Sequence, residues 1–194
     1  MLTLPDLASI PQPSDANLVR ECLLGNSDNF RQLYHRYEHK VRSSLYQLCG
    51  ATVLDDLVQE VFIRAWKGLP KLKQPELFST WLYRIAWNVA KNQRQAFARE
   101  RSLQEQSQVH SSFTASGTNS EQALQELHYQ DMVKRGLARL TLEHRSVLVL
   151  HDLQDMPQKE VAAILGIPEG TVKSRLFHAR KAMRQFLQEE GVEL

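Results

Sequence analysis

The chain has 194 residues, of which 42% are hydrophobic and 24% charged, and its formal net charge is only +2. That length fits one ordinary domain or two small ones, and the composition excludes both a disordered chain and a uniformly basic coat. No apolar run approaches the roughly 20 residues of a membrane span, and the N-terminus lacks the basic start of a signal peptide, so the expected location is the cytoplasm.

Residues 1–13 hold Pro5, Pro11 and Pro13 without periodicity and read as a tail. Asp15 is placed to cap a helix carrying Leu18, Val19, Cys22 and Leu23. After a break at Asn26-Ser27-Asp28, Phe30, Leu33, Tyr34, Tyr37, Val41 and Leu45 recur at spacings of three and four, which predicts a long amphipathic helix. Another is predicted over residues 55–69, and a further one from Ser79 or Thr80 to about Arg99. Composition then turns to Ser, Gln and Thr, so residues 102–123 are expected to form a flexible linker. Helical spacing resumes at Leu124, Leu127, Val133, Leu137 and Leu140 and continues through Leu148, Val149 and Leu153. No segment alternates as a strand. The expected fold class is all-α: two small helical modules, over 14–101 and 124–194, on a flexible tether.

The densest signal lies at residues 158–175. Ala162 is small enough for two helices to cross closely, and Gly166, one turn later, accepts a positive φ without penalty. Pro168 has φ already set for a first helical turn. Val161, Leu165, Ile167 and Val172 would close a small core between the two helices. This is a helix-turn-helix, a motif whose second helix enters the DNA major groove. That helix is predicted to bury Val172, Leu176, Ala179, Met183 and Leu187 and to expose Lys173, Ser174, Phe177, His178, Lys181 and Arg184. The residues nearest its start suit base edges; Lys181 and Arg184 suit phosphates.

Basic charge is local rather than global. Arg84, Lys91, Arg94, Arg99 and Arg101 face one acid, Glu100, and Lys173, Arg175, Arg180, Lys181 and Arg184 face Glu169. Two such segments in a near-neutral chain suggest two contacts with a polyanion, although a basic run is also what a solvated helix face looks like. In the first segment Leu82, Ile85, Ala86, Val89 and Ala90 form an inward stripe, leaving Trp81, Arg84, Asn88 and Asn92 along a second face with Tyr83, Trp87 and Lys91 beside it. Aromatics interleaved with cations and amides make a platform for unstacked bases, while Trp81 and Trp87 read equally as core anchors. Asn88 and Asn92 are poor helix formers in mid-helix, which points to a role other than propensity.

Asp55, Asp56, Gln59, Glu60 and Arg64 lie opposite the buried stripe of Leu57, Val58, Val61, Phe62 and Ala65. They read either as ordinary helix-dipole complements on a solvated face or as a docking surface for a basic protein. No histidine or nucleophile accompanies these carboxylates, so no metal, no cofactor and no enzyme activity are expected. Cys22 and Cys49 lack CxxC spacing and paired histidines and read as small core residues of a reducing compartment.

In this order, the motif over 55–62, the run over 80–86 with Asn88, and the run over 170–180 resemble a bacterial sigma factor of the extracytoplasmic-function (group IV) type, over about residues 15–190. The resemblance implies a region 2 module, a linker and a region 4 module. It implies that Asp55, Asp56, Gln59, Glu60 and Arg64 dock on the β′ clamp helices of core RNA polymerase, with the β flap as a second contact. It also implies that Trp81, Arg84, Asn88, Lys91 and Asn92 engage an opened −10 element, with the loop over 71–78 holding a flipped base. Thr171, Lys173, Ser174, Arg175, Phe177, His178 and Lys181 would then read the −35 element. Two places depart from relatives. His178 stands where they often carry Arg, and residues 71–76 lack their Gly- and Asp-containing loop, leaving Glu76 without a role. An anti-sigma factor is a common further partner in the family. The competing reading is a free-standing helix-turn-helix regulator, which needs neither the acidic helix nor the Trp81 helix.

Overall fold

The computed structural model describes residues 12–104 and 131–192. Nearly all of the expected tail and linker, together with Leu124 and Leu127, lies outside the described residues. Among the described residues there is no strand, and no helix is long and apolar enough to cross a membrane.

Helix α1 (Asp15–Leu23) is capped by Ser14, whose Oγ accepts from the Asn17 N–H at 3.2 Å. Asp15 was expected in that role; instead its carboxylate is held by the Arg36 guanidinium and the Tyr37 hydroxyl, so it anchors α1 to α2 (Asp28–Cys49). Burial and this carboxylate push the Tyr37 phenol well above its usual range. Helix α3 (Leu54–Gly68) runs into a 3-10 turn (Leu69–Lys71), and a second such turn (Pro75–Leu77) feeds α4 (Phe78–Gln104). Helix α4 starts one residue before Ser79 because that turn leads directly into it. It passes the expected end near Arg99 because Ala96, Ala98, Arg99, Glu100 and Arg101 favour helix and no Gly or Pro intervenes. The boundary drawn at residue 102 therefore falls inside a helix.

These helices enclose a core of Leu18, Leu33, Val41, Leu45, Val61, Leu82 and Ala90, each at 1% exposure or less. Phe78, at 0%, lies between the rings of Tyr37 and Trp81, with centroids at 5.6 and 5.9 Å. Cys22 and Cys49 are free thiols; burial pushes the Cys22 pKa up and that of Cys49 up to about 11, as suits inert core residues.

The second module holds α5 (residues 131–139), α6 (Leu142–Leu148) prolonged by a π turn (Val149–Leu153), α7 (Gln158–Leu165) and α8 (Glu169–Glu189). Helix α5 crosses α8 at Gly136, where a Cβ would overlap Met183 Sδ and the Phe186 ring. Phe186, unassigned by spacing, is the buried residue here at 3%, with the Arg139 guanidinium 4.7 Å above its ring; Met183 and Leu187 are only partly buried. Arg139 also pairs with Glu189 at 2.7 Å, and Arg135 with Glu190.

The turn between α7 and α8 forms as its residues require. Gly166 takes φ 67° and ψ 37° and the Ile167 N–H reaches the Ala162 carbonyl at 3.1 Å, whereas Pro168, expected in the first helical turn, stands just before α8 with an extended ψ of 146° and makes no side-chain cap. Val161 and Val172 are fully buried, with Leu165 and Ile167 packed against them.

The modules are not merely tethered. Tyr83 of α4, expected on the outer side, is buried at 3% within the cluster of Val147, Leu150, Met156, Val161, Ile164, Val172 and Leu176. The amphipathic pattern of α4 assigns this position to solvent; long-range packing overrides it.

Candidate functional surfaces

Helix α3 presents one face to solvent along its length. Its first turn carries Asp55, paired with Arg42 of α2 at 2.6 Å, and the exposed Asp56, which has no ion-pair partner among the described residues. Gln59 is exposed, and Glu60 pairs with Arg64 one turn on at 2.6 Å. Such exposed pairs contribute little to stability, typically about 0–1 kcal/mol, so these carboxylates cost the fold little if they exchange partners. Ile63 and Trp66, each 45% exposed, continue the same face. Beside them a groove between α2 and α3 is lined by Phe30, Tyr34, Phe62 and Trp66, with Phe30 and Trp66 rings 4.9 Å apart. The surface is thus acidic at one end and aromatic at the other, the composition of a protein-binding patch. Ile63 and Trp66 were not picked out in the sequence, yet they stand four and seven residues after Gln59, on the same face.

The residues singled out on α4 divide. Arg84, Asn88, Lys91 and Asn92 are exposed along one side, whereas Trp81 is half-buried, its ring against Gly68 and near Phe78. Trp81 therefore combines both readings: its base packs on the core and one edge stays open. That edge, with Lys71, Leu72, Lys73, Gln74, Leu77, Thr80 and Arg84, lines a cleft, and Ala163 of α7 forms its far wall. The 71–78 segment thus builds a pocket beside Trp81 with two ammonium groups at its rim. Glu76 is not part of it. Its carboxylate binds the Arg20 guanidinium and ties the second 3-10 turn to α1, which accounts for a residue the sequence left unexplained.

On α8, Lys173, Ser174, Phe177, His178 and Lys181 are exposed and Thr171 and Arg175 half-exposed, so these side chains form one accessible strip. Phe177 is 65% exposed, unusual for a phenylalanine that meets nothing outside the protein. The His178 ring stacks on His144 of α6, with centroids 6.1 Å apart and planes 26° from parallel, and Phe177 meets its edge at 5.3 Å. Arg180 serves the fold instead. It grips Asp152 with two bonds of 2.9 and 2.6 Å and fixes α8 against the π turn. Lys173, Arg175, Lys181 and Arg184 form no ion pair among the described residues.

Comparison with known proteins identifies the two modules. Residues 33–100 match the family model described as Sigma-70 region 2, and residues 130–183 match Sigma-70, region 4. The ECF RNA polymerase sigma-E factor of Escherichia coli strain K12 is 33% identical over 178 residues, covering 89% of this chain and 93% of that protein. The ECF RNA polymerase sigma factor SigW of Bacillus subtilis strain 168 is 29% identical, covering 88% and 95%. Among solved structures, CnrH in complex with the cytosolic domain of CnrY is similar with a TM-score of 0.69 at 26% identity, covering 90% of this chain and 97% of that one.

Proposed function

The chain belongs to the extracytoplasmic-function sigma factors of the sigma-70 family, transcription initiation factors of RNA polymerase that serve promoter recognition, and from that premise we propose how its three surfaces divide the work. The α3 face, Asp55, Asp56, Gln59, Glu60 and Arg64 with Ile63 and Trp66, docks on the β′ clamp helices. The C-terminal module meets the β flap and reads the −35 duplex through Thr171, Lys173, Ser174, Arg175, Phe177, His178 and Lys181. Helix α4 and the Trp81 cleft take the opened −10 strand, with Arg84, Lys91, Asn88 and Asn92 along its path. Residues 14–101 and 124–194 are the two working modules, and the factor acts in the cytoplasm without covalent chemistry of its own. That the similar CnrH was solved in complex with the cytosolic domain of CnrY supports a further protein partner, which the family resemblance makes an anti-sigma factor.

The observation that carries this reading is the cleft beside Trp81. It offers an aromatic edge, two ammonium groups and the exposed amide of Gln74 in one place, which a duplex-only regulator has no use for. Unpairing and unstacking a base costs a few kcal/mol, and a pocket returns it through stacking worth about 1–3 kcal/mol per base and through bonds to the base edge.

The test is selection of promoter fragments from a randomised library by core polymerase loaded with this chain, followed by permanganate mapping of unpaired thymines. Selected fragments should share two sequence blocks, with reactive thymines in the downstream one. Trp81→Ala should lower that reactivity while sparing duplex binding. Lys181→Ala should weaken binding to all fragments and reduce the slope of log affinity against log salt by about 1. Equal selection by the free chain without polymerase would instead favour the regulator reading.

A further inference from the structure

We propose that His144 of α6 positions His178 for base reading, and that the braced imidazole selects a purine rather than guanine alone. The inference rests on the −35 role proposed for α8 and names a specificity determinant outside that helix.

Three observations carry it. First, the two imidazole planes lie 26° from parallel with centroids 6.1 Å apart, an arrangement in which aromatic rings attract. Phe177 meets the same His178 ring at 5.3 Å and 80°. An exposed side chain on a helix otherwise samples several rotamers, and here two rings restrict it.

Second, the brace is itself fixed. His144 is half-buried, and its backbone N–H donates to Thr141 Oγ1 at 3.3 Å. The next two residues, Arg145 and Ser146, are buried. Arg145 donates to the Ala138 and Leu140 carbonyls at 2.9 and 3.3 Å, and Ser146 to the Glu143 carbonyl at 2.9 Å. A rotation of α6 that released His178 would break these bonds.

Third, the reading nitrogens are free. Among the described residues the one histidine ring in a hydrogen bond or ion pair is that of His151. His178 is exposed, so its nitrogens stand open to an outside partner. Two adjacent imidazoles also suggest a metal pair, yet among the described residues no group of three His, Cys, Asp or Glu could hold an ion. The exposed Ser174 and Lys181, one helical turn before and after His178, suit DNA instead.

The base preference follows from counting donors. A guanidinium spans both guanine acceptors, N7 and O6, and so selects that base. One imidazole N–H reaches a single acceptor. At N7 it is satisfied by guanine and adenine alike, and neither pyrimidine presents that atom. Immobilising a loose side chain on binding costs about as much as one neutral hydrogen bond contributes, so an unbraced ring would discriminate weakly. The stack on His144 removes that cost before DNA arrives.

Core polymerase loaded with the full chain tests this, on a selected fragment whose upstream block carries each single base-pair change in turn. His178→Ala identifies the base pair that this residue reads. There the parent should prefer either purine over either pyrimidine by about fivefold in affinity, with guanine and adenine within about twofold of each other. His144→Ala, which keeps the N–H that Thr141 holds, should bring that preference below about twofold. His144→Phe, which restores a ring for the stack, should return it to the parental value. Adding His144→Ala to His178→Ala should change nothing further, and preferences at the other base pairs should not move. An unchanged preference in His144→Ala, an equal loss at every base pair, no recovery with His144→Phe, or a parent that takes guanine alone overturns the proposal. Failure of the −35 reading would look different, because then no α8 variant would alter the preference at any base pair.

Discussion

Asp56→Lys is expected to weaken binding to core polymerase by at least about tenfold in Kd, and Trp66→Ala by a similar or larger factor, while both leave −35 duplex binding unchanged. Asp56 is the exposed carboxylate of α3 without an ion-pair partner among the described residues, so in a complex its whole charge is available to a basic partner, and reversing it sets like charges together. Disrupting one side of a buried charge pair costs about 2–5 kcal/mol, and every 1.4 kcal/mol is a factor of ten. Trp66 lies at the aromatic end of the same face, half-exposed against Phe30, the setting in which truncation of an interface tryptophan costs about 2 kcal/mol or more. Asp55→Ala and Glu60→Ala should be milder, because each carboxylate is already shared with an arginine of the chain. Titration of labelled core polymerase with each variant measures the order. If Asp56→Lys binds as well as the parent, α3 is not the docking face. If every variant loses duplex binding too, the substitutions have disturbed folding.

The largest effect on stability is expected at Phe78. This ring is fully buried, fills the space between Tyr37 and Trp81 and opens α4. Phe78→Ala removes it and leaves a cavity between the rings of Tyr37 and Trp81, a loss of about 3–5 kcal/mol. Against the roughly 5–15 kcal/mol typical of a whole domain, that brings the first module close to unfolding. Phe78→Leu keeps most of the volume and should cost about 1.5 kcal/mol or less. Denaturant unfolding followed by tryptophan emission reads this directly, since Trp66, Trp81 and Trp87 all lie in α3 and α4. The same cavity would let Trp81 shift, so promoter opening should suffer in Phe78→Ala even where the protein remains folded.

What the sequence made legible was local. The helix-turn-helix follows from Gly166, Pro168 and apolar spacing over residues 158–175, each a constraint that neighbours in the chain impose on one another. The α3 and α8 faces follow from helical periodicity for the same reason. Choices between two equally suitable neighbours were not legible: Ser14 and Asp15 are both good caps, and only the reach of Arg36 and Tyr37 to Asp15 decides which serves. Nor were pairings across long sequence distance, such as Glu76 with Arg20 or Tyr83 with the core of the other module. A periodic pattern states which side of a helix is apolar. It does not state which second helix will cover a tyrosine on the other side. Ile63 and Trp66 are a different case: their spacing from Gln59 was visible, and only their exposure in the fold gives it meaning.

The central claim is that this chain confers promoter-specific initiation on RNA polymerase. Single-round run-off transcription, with bacterial core polymerase and fragments selected by the loaded enzyme, measures it most directly. Transcripts are expected with one defined start downstream of the two shared blocks, absent with core polymerase alone and lost when either block is scrambled. Transcripts that do not depend on the added chain, or that persist unchanged when both blocks are scrambled, would contradict it.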